Sequence, residues 1–431
     1  MAKETGEQTL RDYGNRKKRY WRIRVYVITA LLLVVLVVGV VYLYRLYHRS
    51  YSNYELAGST PNTEENLSGY LEYDGAVVRY GLDGAVAFDK KGEPLWNGSY
   101  EMQDPIVDTC GKYVVVADRG RNSVYIFNEK GGAGSFHTDY KLQKAEVAAQ
   151  GVTAILMGNE KENYIRLNDR EGTNLGEIKT YIGEDGYPMD IALSDDGEKL
   201  AVILMSLNKG KLENKIAFYN FGEVGQNLNE RFAGGFITDA EKETAIMPKV
   251  TFLNNDTVCV YKDNGFVLYS MPELPEIIKD VTFITEEEHK KLLEEKENNK
   301  GKTMGTEEDP KEVNEVIKGV NTIRIKSILH DNKYTGFVFE SDDGGSLLVL
   351  YDLKGKRILE KRLELKYTNI YISGEEIILH DNSSCQILRV DGKEKFRYTF
   401  TTNISAFYPI NHLDRYLLVS TANVEDIRLL E

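Results

Sequence analysis

The sequence predicts an all-β protein: a single β-propeller of four-stranded blades, seven or eight in number with eight favoured, preceded by one membrane-spanning helix. Three observations predict it. Apolar runs of four to seven residues, rich in Val, Ile, Tyr and Phe, recur at 113–117, 123–127, 199–205, 215–219, 265–269, 336–339, 347–351 and 416–420. Gly, Asn and Asp turns separate them, as between the strands of a meander. An apolar strand running into a polar turn and then Gly repeats, ending at Gly92, Gly131, Gly172, Gly222, Gly355 and Gly392, with simple intervals of 39, 41 and 37 residues. Periods near 40 with about four strands each mark propeller blades, whereas a helical solenoid needs long runs at 3.6 spacing that are absent here.

Composition agrees with one globular ring. The chain has 431 residues, 42% hydrophobic and 28% charged, too apolar for disorder. Three cysteines exclude a disulfide scaffold. A net charge of −13 argues against a nucleic-acid partner.

The chain begins with a basic tail, residues 1–24, whose eight basic and three acidic side chains give +5 and leave −18 for the rest. Residues 25–44, from Val25 to Tyr44, are twenty positions without a charge. At 1.5 Å per residue they span about 30 Å, the hydrocarbon thickness of a bilayer, so the lipid bilayer is the first expected partner. Tyr26, Tyr42, Tyr44 and Trp21 stand where an interfacial aromatic belt lies. The positive-inside rule places the tail in the cytoplasm and the remainder outside. The exit Y-L-Y-R-L-Y-H-R-S has no small-x-small cleavage site, so an uncleaved signal anchor is favoured over a signal peptide. Residues 45–67 are polar and read as a spacer, and 68–431 as the extracytoplasmic propeller.

Eight central strand pairs are expected near residues 77, 113, 152, 200, 257, 335, 376 and 416. The last reaches Glu431 without a fourth strand, so residues 69–73 are expected to complete it and close the ring. The stretch 284–320 is a charged helical insertion. Thr285 and Glu288 stand in capping-box spacing at its start, and a second helix is expected from 309 to 318. It reads as a solvated flap, with a partner-docking arm or a lid over the propeller face as the sharper alternative.

Residues 77–96, V-V-R-Y-G-L-D-G-A-V-A-F-D-K-K-G-E-P-L-W, resemble a repeat of the quinoprotein-like (PQQ-like) propellers. Residues 187–202, Y-P-M-D-I-A-L-S-D-D-G-E-K-L-A-V, resemble the turn and strand of WD-repeat and TolB-like propellers. As a whole the chain resembles an uncharacterised family of membrane-anchored proteins from clostridial-type Gram-positive bacteria, a domain of unknown function. The resemblance rests on L-S-G-Y-L-E-Y at 67–73, G-E-P-L-W-N-G-S-Y-E-M-Q-D-P-I-V-D at 92–108, G-Y-P-M-D-I-A-L-S at 186–194 and I-A-F-Y-N-F-G-E-V-G-Q-N at 216–227. It implies the propeller and the membrane address, and no activity.

Quinoprotein enzymes hold their cofactor between a Trp floor and an adjacent-cysteine disulfide. Here the tryptophans are Trp21 and Trp96, and Cys110, Cys259 and Cys385 are far apart, so no cofactor is expected. Trp96 reads as inter-blade packing. The cysteines read as buried thiols, with one disulfide left open. His48, His137, His289, His330, His380 and His412 are scattered, and I-L-H-D-N at 328–332 and 378–382 reads as turn chemistry at two different turns. The acidic turns Ser194-Asp195-Asp196-Gly197 and Ser341-Asp342-Asp343-Gly344 lack the spacing of a calcium loop. No G-x-S-x-G, H-E-x-x-H or P-loop occurs. No catalytic, cofactor-binding or metal residue is therefore assigned.

The expected function is a tethered binding module for a protein, peptide or cell-envelope polymer. An envelope hydrolase or lyase is the alternative, and a sensor acting through a cytoplasmic partner is a weaker one. Acidic residues of raised pKa at the channel mouth would favour the enzyme; a Tyr-lined face without them would favour the binder.

Overall fold

The computed structural model describes residues 2–62, 67–238, 245–299, 311–411 and 413–431. It divides into two units, residues 1–51 with Glu431, and residues 52–430.

The first unit is one helix, Ala2–Tyr47. Its segment Arg24–Tyr47 has a mean hydropathy of 2.9 and buries none of its length within the protein. A core helix of a soluble domain would be covered, and this one leaves Leu31, Val35 and Leu36 60 to 66% exposed. It is the one helix among the described residues long and apolar enough to cross a membrane.

The second unit is an eight-bladed propeller. Blades 1 to 4 are up-and-down sheets whose inner strands are Leu67–Tyr73, Pro105–Cys110, Lys141–Val147 and Tyr187–Leu193. Those of blades 5 to 8 are Lys249–Asn254, Ile325–His330, Asn369–Ser373 and Ala406–Pro409. The eight expected strand pairs all occur, each at the second strand of a blade. That strand is covered on both faces; Val114, Val115, Val116 and Ala117 have no measurable exposure. Apolar clusters fill the seams between successive blades, as where Phe266 and Phe283 meet Phe337 and Tyr351 between blades 5 and 6.

The Gly repeat sits at the turn between third and fourth strands. Gly92 and Gly172 take φ of +79° and +87°, which L side chains rarely adopt. Their amides close back on Asp89 and Asp169, whose carboxylates accept two further backbone N–H groups of the turn. An Asp or Asn opening the turn and a Gly closing it is thus turn chemistry shared by several blades, as again at Asp352 and Gly355.

Four expectations are corrected. The ring closes through Asn53–Pro61, which pairs antiparallel with Asn423–Leu430 as the outer strand of blade 8. Residues 69–73 instead belong to the inner strand of blade 1. The closing strand lies within the expected 45–67 spacer, whose outermost-edge position explains its polar, exposed sequence. Secondly, the spacer shrinks accordingly: only residues 48–52 lie between Tyr47 and Asn53 in the sequence. Thirdly, blade 5 carries five strands. Fourthly, the residues expected to form a second helix from 309 contain the strand Glu312–Ile317, with 309 and 310 outside the described residues. It pairs parallel with Glu276–Thr285. Parallel neighbours need a crossover, and the helix Glu286–Asn299 lies on it. Burial of Ile317 against Phe283, and Arg357 of blade 6 bonding Glu315 and the Val316 carbonyl, override the helical composition. The capping box forms as expected: the Thr285 amide donates to Glu288 at 2.7 Å and the Glu288 amide to Thr285 Oγ1 at 3.2 Å.

Candidate functional site

Inner strands ring the propeller channel, so the side chains facing it come from one strand of every blade. Strand direction alternates in each blade. The start of an inner strand and the turn between second and third strands therefore share one face. On that face, inner strands of blades 1, 7 and 8 border a cavity of about 890 Å³.

Its aromatic wall is Tyr70, Tyr371 and Tyr408. The Tyr371 and Tyr408 rings are 5.4 Å apart at 44°, and the Tyr408 hydroxyl donates to the Tyr70 carbonyl at 3.1 Å. The Tyr70 hydroxyl accepts from Asn62 Nδ2, which also donates to the Ser420 carbonyl. The Tyr371 hydroxyl is buried without a hydrogen-bond partner. Burial holds it and Tyr408 well above the usual phenol range, so both stay protonated donors. The rim is neutral and polar. Asn369, Asn382, Asn403 and Thr421 are exposed, and their side chains make no hydrogen bond to another described residue. Among the described residues Glu72 is the one carboxylate of the lining, and Ser373 of blade 7 donates to it at 3.4 Å. His380 has its Nδ1 3.1 Å from the Asp381 carbonyl, so this nitrogen carries the proton, and burial lowers its pKa. Among the described residues no Lys or Arg lines the cavity.

The inner strands of blades 2 to 5 carry charge instead. Asp108 accepts the Val147 amide at 2.9 Å, Glu146 the Leu193 amide at 2.7 Å, and Asp190 the Val250 amide at 2.9 Å. Each carboxylate thereby stitches its blade to the next. Lys144 Nζ places its three protons on Asp190 at 2.5 Å, Glu146 at 2.8 Å and the Ile191 carbonyl at 2.7 Å. Burial, and then the neighbouring Glu146 charge, push Asp108 up to about 7; burial also raises Glu146, against the pull of Lys144. Burial and the Lys249 and Lys144 charges lower His330 to about 4. The acidic cluster of raised pKa is therefore present, but its oxygens are committed to backbone amides and to Lys144 rather than aimed into the Tyr-lined cavity.

Sequence candidates fall elsewhere. Cys110, Cys259 and Cys385 lie on three different blades and are free thiols. Trp96 of blade 1 stacks on Phe127 of blade 2 at 4.9 Å and 5°, an inter-blade contact. His330 ends an inner strand and His380 a second strand, so the two I-L-H-D-N copies occupy different turns. His412 lies outside the described residues. In both acidic turns the Gly amide bonds back to the Ser carbonyl at 2.8 Å, as in a tight turn. Among the described residues no group of three His, Cys, Asp or Glu side chains is placed to hold a metal. Sequence reasoning missed the inner-strand acids. Glu72, Asp108, Glu146 and Asp190 stand 36, 38 and 44 residues apart, a blade period, each inside an apolar run.

Among solved structures, the chain is similar to the WD40 domain of SCAP from fission yeast. That likeness has a TM-score of 0.49 and 11% identity, covering 88% of this chain and 98% of that one. Apo AztD from Citrobacter koseri gives 0.46 and 13%, covering 78% and 86%. Hsv2 from Kluyveromyces lactis gives 0.44 and 8%, covering 78% and 98%. At these values no residue and no role passes to this chain. A comparison with curated proteins returns no match. One family model matches residues 47–317 and 296–429, nearly all of the propeller unit, and the chain belongs to that family of unknown function, DUF5711.

Proposed function

We propose that the protein is a membrane-anchored extracytoplasmic binding module that takes a protein, peptide or envelope-polymer partner at the channel mouth of blades 1, 7 and 8. The observation that carries this reading is the cavity itself: concave, Tyr-walled and rimmed by polar side chains without protein partners. A pocket of this size with a few convergent polar groups is the usual form of a ligand site. The basic tail and the apolar helix support a cytoplasmic N-terminus and an exported propeller, in the envelope of a Gram-positive type that the family resemblance implies.

Full-length protein crosslinked in native membranes tests the reading, with Asn382→Ala/Asn403→Ala as control. Recovery of one partner by the wild type and its loss with the double variant supports it. Equal recovery by both refutes the site. Protease shaving of intact cells tests the orientation, which fails if the propeller is protected.

A hydrolase or lyase is the second reading, and the raised carboxyls of Asp108 and Glu146 are what favour it. Asp108→Asn would then abolish turnover of an envelope polymer; the binding reading expects partner recovery unchanged by it.

A further inference from the structure

The two arcs of the channel differ in chemistry. Blades 2 to 4 contribute charges that satisfy one another and the backbone, whereas blades 1, 7 and 8 contribute mainly neutral groups around an open cavity, with Glu72 of blade 1 the exception. Three features of that cavity restrict its ligand. With Glu72 as its carboxylate and no Lys or Arg among the described lining residues, it repels a phosphate or uronate rather than neutralising it. Asn369, Asn382, Asn403 and Thr421 present groups that both donate and accept, matching hydroxyls, which do the same. Tyr70, Tyr371 and Tyr408 supply amphipathic rings, whose faces suit the C–H faces of a pyranose. The buried Tyr371 hydroxyl is a donor awaiting an acceptor. Cleavage of a glycoside ordinarily needs two flanking carboxyl groups, and the described lining residues supply one.

We infer that the cavity between blades 1, 7 and 8 binds, without cleaving, a neutral saccharide chain; this rests on the binding-module reading and narrows its partner to one chemistry. The free rim amides hold the hydroxyls and the tyrosines hold the ring faces. Glu72 and the absence of cations select against acidic polymers.

The test uses the full-length protein in a zwitterionic detergent without a sugar head group. Cellotetraose and chitotetraose are titrated calorimetrically, with tetragalacturonate and a neutral tetrapeptide as comparators. One or both neutral tetrasaccharides are expected to bind at least about tenfold more tightly than the comparators. Asn382→Ala/Asn403→Ala should weaken that binding about tenfold or more, and Tyr371→Phe about fivefold, one lost hydrogen bond being worth roughly that factor. The rim variants should leave the melting temperature unchanged, since their side chains hold nothing in the protein. Absence of saccharide binding, preference for the peptide, or affinity indifferent to the rim variants overturns the inference. If no saccharide binds while Asn382→Ala/Asn403→Ala still abolishes partner crosslinking, the ligand class falls and the binding module stands. If crosslinking is also indifferent, both fall.

Discussion

A chain starting at Ser52 and a chain starting at Ser68 differ by the strand that closes the ring. Removing residues 52–67 uncovers the outer edge of Asn423–Leu430, where Tyr54 to Pro61 pair with Leu429 to Asn423. It also removes Tyr54 from between Tyr398 and Phe400, at 5.1 and 5.0 Å. The lost ladder amounts to about seven backbone hydrogen bonds at roughly 1 kcal/mol each net, offset in part by rehydration of the freed edge. A loss of about 5 kcal/mol is a third or more of the 5–15 kcal/mol that holds an ordinary domain together. At roughly 2 °C per kcal/mol for a large domain, the melting temperature should fall by about 10 °C. The exposed edge should also promote aggregation. Differential scanning calorimetry and light scattering on the two fragments measure both effects. A peptide of residues 52–62 added to the shorter fragment should recover part of the loss. Equal melting temperatures for the two fragments would refute the reasoning and restore residues 69–73 as the closing segment.

Three further outcomes are expected. Asp108 holds its proton up to about pH 7 when folded and releases it near 3.8 when unfolded, so its contribution is full below about pH 4 and lost as pH rises towards 7. Asp108→Asn keeps an acceptor for Val147, so the wild-type advantage in melting temperature should shrink between pH 4 and 7 and then level; a pH-independent difference contradicts the assignment. His330, lowered to about 4, has the opposite sign, losing stability as pH falls below 6.5, and cancels in that comparison. In the seam between blades 7 and 8, buried Lys395 bonds Glu376 and donates to the Tyr416 hydroxyl at 2.7 Å, and that hydroxyl donates to Glu376 at 2.7 Å. Lys395→Met takes the ammonium from beside the Glu376 carboxylate and should cost about 3–5 kcal/mol in urea unfolding, much of it recovered by adding Glu376→Gln; no recovery would show that packing alone was lost. Burial raises the thiols of Cys110, of Cys259, to about 12, and of Cys385, and of the three Cys110 alone is partly exposed. At pH 8 a thiol reagent should therefore modify at most Cys110 rapidly in the native protein and all three cysteines in denaturant; rapid native labelling of two or more contradicts their burial.

The strand pairs were legible because most blades repeat one local pattern, an apolar run ending in a polar turn and a Gly, of positive φ at Gly92, Gly131, Gly172, Gly355 and Gly392. The long apolar helix was legible because twenty consecutive uncharged residues make a span of bilayer length. Two elements resisted for a shared reason. Asn53–Pro61 is an exposed outer strand, and Glu312–Ile317 is a fifth strand reached through a helical crossover. Neither has the burial on both faces that marks a strand in sequence, and their partners lie 362 or more residues away in the first case and across the insertion in the second. Residues of the cavity resisted more completely. Tyr70, Tyr371 and Asn403 come from three blades, and each taken alone is an ordinary strand or loop residue.

The sequence by itself determined the repeat unit, the number of strand pairs and the apolar span, since these depend on local turn chemistry, side-chain periodicity and length. Only the tertiary structure decided how the ring closes, which acids stitch blade to blade, and which arc of the channel stays open. Those are properties of residues brought together by closure of the ring, and no local pattern encodes a neighbour that is supplied from the other end of the chain.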